Sequence, residues 1–146
     1  TSSAAGFALK NPKETWLITG DISFLYDSNA LLTNYSPGLK IILINNGGGN
    51  IFRIIPGPSD IPEFETYFEA AVQVDIRALC RAFNVAYYQA NNQQELKNNF
   101  EKLNDSTGIS VLEIKSPGAL SATILRNYFN ALKENKHEYN TKVENH

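Results

Sequence analysis

Lys40-Ile41-Ile42-Leu43-Ile44, followed directly by Asn45-Asn46-Gly47-Gly48-Gly49-Asn50, decides the fold. The first part is a continuous apolar run rich in β-branched residues. Such a run has no solvated face, so it reads as a strand buried on both sides, which places it in a parallel sheet. The second part leaves no room for regular structure and reads as a loop at the carboxyl end of that strand.

Upstream, Trp16-Leu17-Ile18-Thr19 is a short β-prone run ended by Gly20. Phe24 to Asn34 reads as one helix, with Phe24, Leu25, Leu31 and Leu32 sharing a buried side, and Ser36-Pro37-Gly38 breaks it. Downstream, residues 51–62 are Pro-rich and irregular, with Pro56, Gly57, Pro58 and Pro62. Asp75 is placed to cap a helix reaching Phe83, in which Ile76, Leu79, Cys80 and Phe83 share one face. Val85 to Tyr88 is a short strand. Asn92 and Glu95 have capping-box spacing and open a helix with Leu96, Phe100 and Leu103 inward. Gly108 punctuates, and Ile109 to Ile114 is a further strand. A last helix from about Ala119 carries Leu120, Ile124, Tyr128 and Leu132 at i, i+4 steps, and the polar residues 133–146 are expected to fray. Strands separated by helices predict an α/β fold, a parallel sheet flanked by helices.

The composition agrees with this and narrows the function classes. With 146 residues, 42% hydrophobic and 19% charged, the chain is sized for one domain and excludes wholesale disorder. Cys80 is the only cysteine, so there is no internal disulfide and no cysteine-based zinc site; this fits a reducing, cytoplasmic setting. The formal charge of −2 offers no basic excess for a nucleic-acid backbone. No apolar run approaches the roughly 20 residues of a membrane span, and no signal segment opens the chain. Methionine is absent even at position 1, which reads as a processed chain or a piece of something longer.

In parallel α/β sheets ligands bind beyond the carboxyl ends of the strands. Two loops stand there, Gly20-Asp21-Ile22-Ser23 and Asn45 to Gly49, and they face one crevice if their strands are neighbours. Asp21 offers a carboxylate and Asn46 an amide oxygen, hard ligands that suit Mg²⁺ or Ca²⁺ better than zinc. Two side chains do not complete an octahedral shell, so the remainder falls to backbone carbonyl, water and ligand phosphate oxygens. Gly47 to Gly49 let the backbone approach a ligand without a Cβ in the way. Ile22 and Ser23 sit where a helix begins, and its unbonded N–H groups favour phosphate. Together these point to a metal-bridged diphosphate. Each loop alone is more often an ordinary turn or a flexible surface loop; their pairing, with Asn46 25 positions after Asp21, is what carries weight.

Other chemistries find no support. There is no GxxxxGK[ST] phosphate loop, and Phe52 stands where a dinucleotide fingerprint needs glycine. His137 and His146 lie in the polar tail, Cys80 lies on an apolar helical face, and Ser23, Ser28 and Ser36 have no nearby histidine.

Gly-Asp followed some two dozen residues later by Asn-Asn resembles the cofactor motif of thiamine diphosphate enzymes. Gly20 to Leu31 and Asn45 to Phe52 resemble, among these, the 2-succinyl-5-enolpyruvyl-6-hydroxy-3-cyclohexene-1-carboxylate synthases of menaquinone biosynthesis. A bulky residue and Ser after Gly-Asp is more particular to that family than the usual Gly-Asp-Gly. Thr1 to Gly6 and Ile51-Phe52 with Pro56 also fit. The resemblance spans the chain, 1–146, as the C-terminal thiamine diphosphate-binding domain of a longer enzyme.

The resemblance implies that Asp21 and Asn46 ligate Mg²⁺ (or Mn²⁺) through side chains and Gly48 through its carbonyl. It implies that Gly20, Ile22 and Ser23 contact the diphosphate, and that Ile51, Phe52 and Ile55 line the thiazolium and substrate side. Gly47 stands where relatives carry Asn or Asp, which leaves the Gly48 carbonyl role intact and the loop looser. The implied reaction decarboxylates 2-oxoglutarate and adds the succinic semialdehyde unit to isochorismate. The glutamate that activates the cofactor would come from the N-terminal domain of a partner subunit in a homodimer or homotetramer. No catalytic residue is therefore expected within this chain, which alone should be catalytically silent. Two alternatives stay open: a domain of another thiamine diphosphate decarboxylase or acetohydroxy-acid synthase-like enzyme, and a non-catalytic phosphate-binding module.

Overall fold

The computed structural model describes residues 1–11, 13–32, 38–54 and 73–144, with side chains as far as residue 133. They fall into two compact units, Thr1–Gly48 with Ala71–Ser116, and Gly49–Ala70 with Pro117–His146.

The first unit is a four-stranded, all-parallel sheet in the order β1-β2-β4-β3. Its strands are β1 (Thr15–Gly20), β2 (Leu39–Asn45), β3 (Ala86–Ala90) and β4 (Ser110–Lys115). The run that decided the fold is the central strand β2, flanked by β1 and β4 and buried along most of its length. Register sorts the side chains into two faces. Leu17, Ile41, Val111 and Tyr87 lie across from one another on one face; Ile42 and Leu112 lie on the other.

The first face carries the larger core. Leu39, Ile41, Leu43 and Val111 pack there with Phe24, Leu31, Ile76 and Cys80. Helix α1 (Ser2–Lys10), which sequence reading left unassigned, joins it through Ala5 and Ala8, small residues three apart that let the helix approach closely. Helix α4 (Ile76–Ala82) is capped as expected, the Asp75 carboxylate accepting from the Ala78 N–H at 3.0 Å. On the opposite face, α5 (Gln93–Asp105) buries Leu103 against Leu112 and Ala90. Asn92 caps α5 by accepting from the Glu95 N–H at 2.9 Å. The Glu95 carboxylate returns to the Asn91 N–H at 2.8 Å rather than to that of Asn92, a capping box shifted outward by one residue. Phe100 is not inward: it is 42% exposed and stacks on Trp16, ring centroids 5.5 Å apart.

The helix expected over 24–34 is two pieces. α2 (Asp21–Tyr26) starts earlier, directly after Gly20, and a 3₁₀ turn covers Ser28–Leu32. The break falls at Asp27, whose carboxylate accepts from the Ser2 N–H at 2.6 Å and the Ser2 hydroxyl at 2.5 Å. The first turn of α1 favours an anion, and drawing Asp27 to it turns the chain out of helix. Leu31 is fully buried by the turn, whereas Leu32 is 67% exposed instead of sharing the buried side. Residues 33–37, including Ser36 and Pro37 of the expected break, lie outside the described residues.

In the second unit, residues 51–54 are not irregular but form one helical turn, α3 (Ile51–Ile54), which packs against the long helix α6 (Gly118–Glu144). The α6 backbone is helical to Glu144, past Lys133, where the polar stretch begins. The Pro-rich remainder of 51–62 lies outside the described residues. Among the described residues no helix is long and apolar enough to cross a membrane.

Candidate functional site

β1 and β2 are neighbours in parallel register, Gly20 opposite Ile44, so the loops that follow them open at the same end of the sheet. Gly20 caps α2 in an extended conformation, φ −86°, and Asp21 is the first helical residue. Its carboxylate is buried, 2% exposed, and bridges the two loops. Oδ1 accepts from the Ile22 N–H at 2.9 Å, and Oδ2 accepts from the Gly47 N–H, also at 2.9 Å. Asn46 turns its own Oδ1 toward the Gly48 N–H, at 3.4 Å.

The loop needs its glycines. Gly47 has φ +85° and Gly48 φ +143°, both in the region L side chains rarely adopt. A Cβ at Gly20 or at Gly47 would meet no atom within 4 Å, so the space beside both is open. The site thus gathers Gly20, Asp21, Ile22, Ser23, Asn46, Gly47 and Gly48. Ile51 and Phe52 lie on α3 of the second unit, and Ile55 lies outside the described residues.

Beneath the loop is a polar cluster that sequence reading passed over. The Asn45 Oδ1 also accepts from the Gly47 N–H, at 3.1 Å, while its Nδ2 donates to Glu113 Oε1 at 2.5 Å. Glu113 Oε1 is paired with Lys115 at 2.6 Å, and Oε2 accepts from the Tyr87 hydroxyl. Burial pushes the Glu113 carboxyl up, but the donors Lys115, Tyr87 and Asn45 together outweigh it and hold the group below the usual glutamate value. Burial, and then the hydrogen bond to Glu113, pushes the Tyr87 phenol above its usual value. A signal was available: a glutamate inside Val111-Leu112-Glu113-Ile114 lacks a solvated face and therefore needs partners.

The donors at the two loops are one carboxylate, amide oxygens and backbone groups. Among the described residues no three His, Cys, Asp or Glu side chains converge in a metal-ligating group. A cation held here would therefore be a hard one, completed by oxygens from outside the chain.

Comparison with known proteins bears on the same loops. Residues 1–114 match the model of the family described as thiamine pyrophosphate enzyme, C-terminal TPP binding domain. The chain is 44% identical over 133 residues to 2-succinyl-5-enolpyruvyl-6-hydroxy-3-cyclohexene-1-carboxylate synthase of Flavobacterium psychrophilum, covering 90% of this chain and 24% of that protein. It is 45% identical over 134 residues to the synthase of Flavobacterium johnsoniae, with the same two coverages. It is 41% identical over 131 residues to that of Porphyromonas gingivalis, covering 88% and 23%. The chain spans about a quarter of the length of the curated relatives it matches. The match takes in both strand-end loops and all four strands but for the last residue of β4, and on it the chain belongs to the thiamine pyrophosphate enzymes, as their C-terminal TPP binding domain.

Proposed function

We propose that the two strand-end loops bind the diphosphate of thiamine diphosphate through Mg²⁺ (or Mn²⁺), in a synthase that decarboxylates 2-oxoglutarate and adds the resulting unit to isochorismate. The observation that carries the reading is the bridge from Asp21 Oδ2 to the Gly47 N–H, which locks a buried carboxylate to the amide-bearing loop. Asp21 and Asn46 supply side-chain oxygens and Gly48 its carbonyl. Gly20, Ile22 and Ser23 supply close backbone approach and first-turn N–H groups to the diphosphate. Asp21 occupies the Ile22 N–H with its own Oδ1, so Ser23 carries the greater share of the phosphate contact. Ile51, Phe52 and Ile55 are assigned to the thiazolium and substrate side by the family resemblance alone.

Thiamine diphosphate, when bound, supplies the carbanion chemistry of decarboxylation and carbon–carbon bond formation. The residues of this chain orient it and hold the cation that offsets its phosphate charge, and none of them is assigned a proton transfer in the reaction. Activation belongs to a glutamate on the N-terminal domain of a partner subunit, in a homodimer or homotetramer. The similarity to synthases about four times as long supports a role as the C-terminal part of such an enzyme; the setting proposed for it is the cytoplasm.

Calorimetric titration of thiamine diphosphate into the chain tests the reading. Binding that requires Mg²⁺ or Mn²⁺, without turnover of 2-oxoglutarate and isochorismate, is expected. Binding of equal strength in chelator would point instead to a phosphate-binding module.

A further inference from the structure

Glu113 is 2% exposed, stands on the sheet face of the main apolar core, and belongs to neither strand-end loop. A carboxylate in such a place carries a desolvation cost that its partners must offset and that an apolar side chain would avoid, so what its hydrogen bonds hold in place is the question. Its partners come from three strands: Asn45 at the end of β2, Tyr87 on β3, and Lys115 two residues on along β4.

Asn45 is the link to the loop. Its side chain has two distinguishable ends, an acceptor oxygen and a donor NH₂. An ionised carboxylate only accepts, so Glu113 forces the Asn45 NH₂ toward itself and turns Oδ1 toward the Gly47 N–H. With Asn45 reversed, its NH₂ would face the Gly47 N–H, donor against donor. The Gly47 N–H then has two acceptors, Asp21 Oδ2 and Asn45 Oδ1, one from each neighbouring strand end. Tyr87 and Lys115 in turn hold one oxygen of Glu113 each.

We propose that Glu113 is a positioning residue: acting through Asn45, it fixes the backbone of the 46–48 loop and so presents the Asn46 side chain and the Gly48 carbonyl to the bound cation. The last step rests on the thiamine diphosphate reading above; the fixing of the loop does not.

Two measurements separate these. Amide hydrogen exchange at Gly47 in the ligand-free chain reads the loop, and calorimetry with Mg²⁺ and thiamine diphosphate reads the site. Glu113→Leu removes the acceptor and should speed Gly47 exchange about tenfold, the worth of one hydrogen bond. It should also weaken metal-dependent binding by about tenfold or more. Glu113→Gln, which keeps an oxygen to face Asn45, should restore most of both. Tyr87→Phe, a milder change that keeps Glu113, should move both in the same direction by less. Val111→Ala is the stability control: it lowers the unfolding midpoint while leaving Gly47 exchange and binding as in the wild type. Unchanged Gly47 exchange in Glu113→Leu would overturn the proposal, as would Val111→Ala loosening Gly47 as much as Glu113→Leu does. If the wild type takes up no thiamine diphosphate while Glu113→Leu still loosens Gly47, the cofactor reading fails and the positioning stands.

Discussion

The Asp21 carboxylate and the Gly47 amide are 26 residues apart in sequence and 2.9 Å apart in space. That contact joins two loops, each ordinary alone, into one candidate site. It exists because β1 and β2 are parallel neighbours, so their carboxyl ends coincide. It also fixes what the loop backbone must do. To aim its N–H at Asp21, Gly47 takes φ +85°, where an L side chain is strained even though the space beside it is open.

Gly47→Ala should therefore cost about 1–2 kcal/mol from backbone conformation alone, without a packing penalty. Urea unfolding checks this. A loss within error of zero would mean that the loop relaxes to another conformation without cost.

The break at Asp27 separates Leu31 from Leu32. Phe24 and Leu31 are fully buried and Leu32 is 67% exposed. Phe24→Ala should lose about 3–5 kcal/mol and Leu31→Ala about 2–5 kcal/mol. Leu32→Ala should stay within about 0.5 kcal/mol. A continuous helix burying both leucines would make the two leucine variants equal in chemical denaturation.

Lys40 is 0% exposed on the central strand, and its ammonium donates to the carbonyl of Ser106 and, at 2.9 Å, to the Ser106 hydroxyl. Lys40→Met keeps the volume and loses the hydrogen bonds, which should cost about 1–3 kcal/mol. Lys40→Ala adds a cavity, and about 2–5 kcal/mol is expected. Equilibrium unfolding should rank them in that order; Lys40→Met as stable as the wild type would show that the ammonium contributes nothing to the fold.

Burial, and after it the negative charge of Glu113, pushes the Cys80 thiol from 9.0 up to about 12. Folding thus favours the protonated form. Its contribution to stability is fully present below the unfolded value of 9.0 and is lost as pH rises from 9.0 toward about 12. In the native chain a thiol reagent at about pH 8 should react far more slowly than in urea, because the thiolate is the nucleophile. Equal rates in the two states would contradict this environment.

Lys40 to Asn50 made the parallel sheet, its doubly buried strand and one site loop legible, and Gly20 to Ser23 the other loop, because a doubly buried strand and glycine turns are local signals. The broken helix was not legible, since Asp27 is drawn out by Ser2, a partner 25 residues away. Helix α1 was hidden for a related reason: it is anchored by Ala5 and Ala8, whose small side chains give no apolar stripe to read. Within the site, Asp21, Asn46 and the glycines were visible as a spaced pair of motifs. The Asn45–Glu113 contact was not, because it joins positions 68 apart that only the β2–β4 pairing brings together.

The central claim is that Asp21 holds a divalent cation that holds the diphosphate. Calorimetric titration of thiamine diphosphate in Mg²⁺, on the wild type and on Asp21→Ala, tests it most directly. The wild type should bind only with metal present. Asp21→Ala should weaken binding by about hundredfold, a loss of about 3 kcal/mol for a charged ligand. Binding by Asp21→Ala as tight as the wild type, or wild-type binding that persists in chelator, would contradict the account.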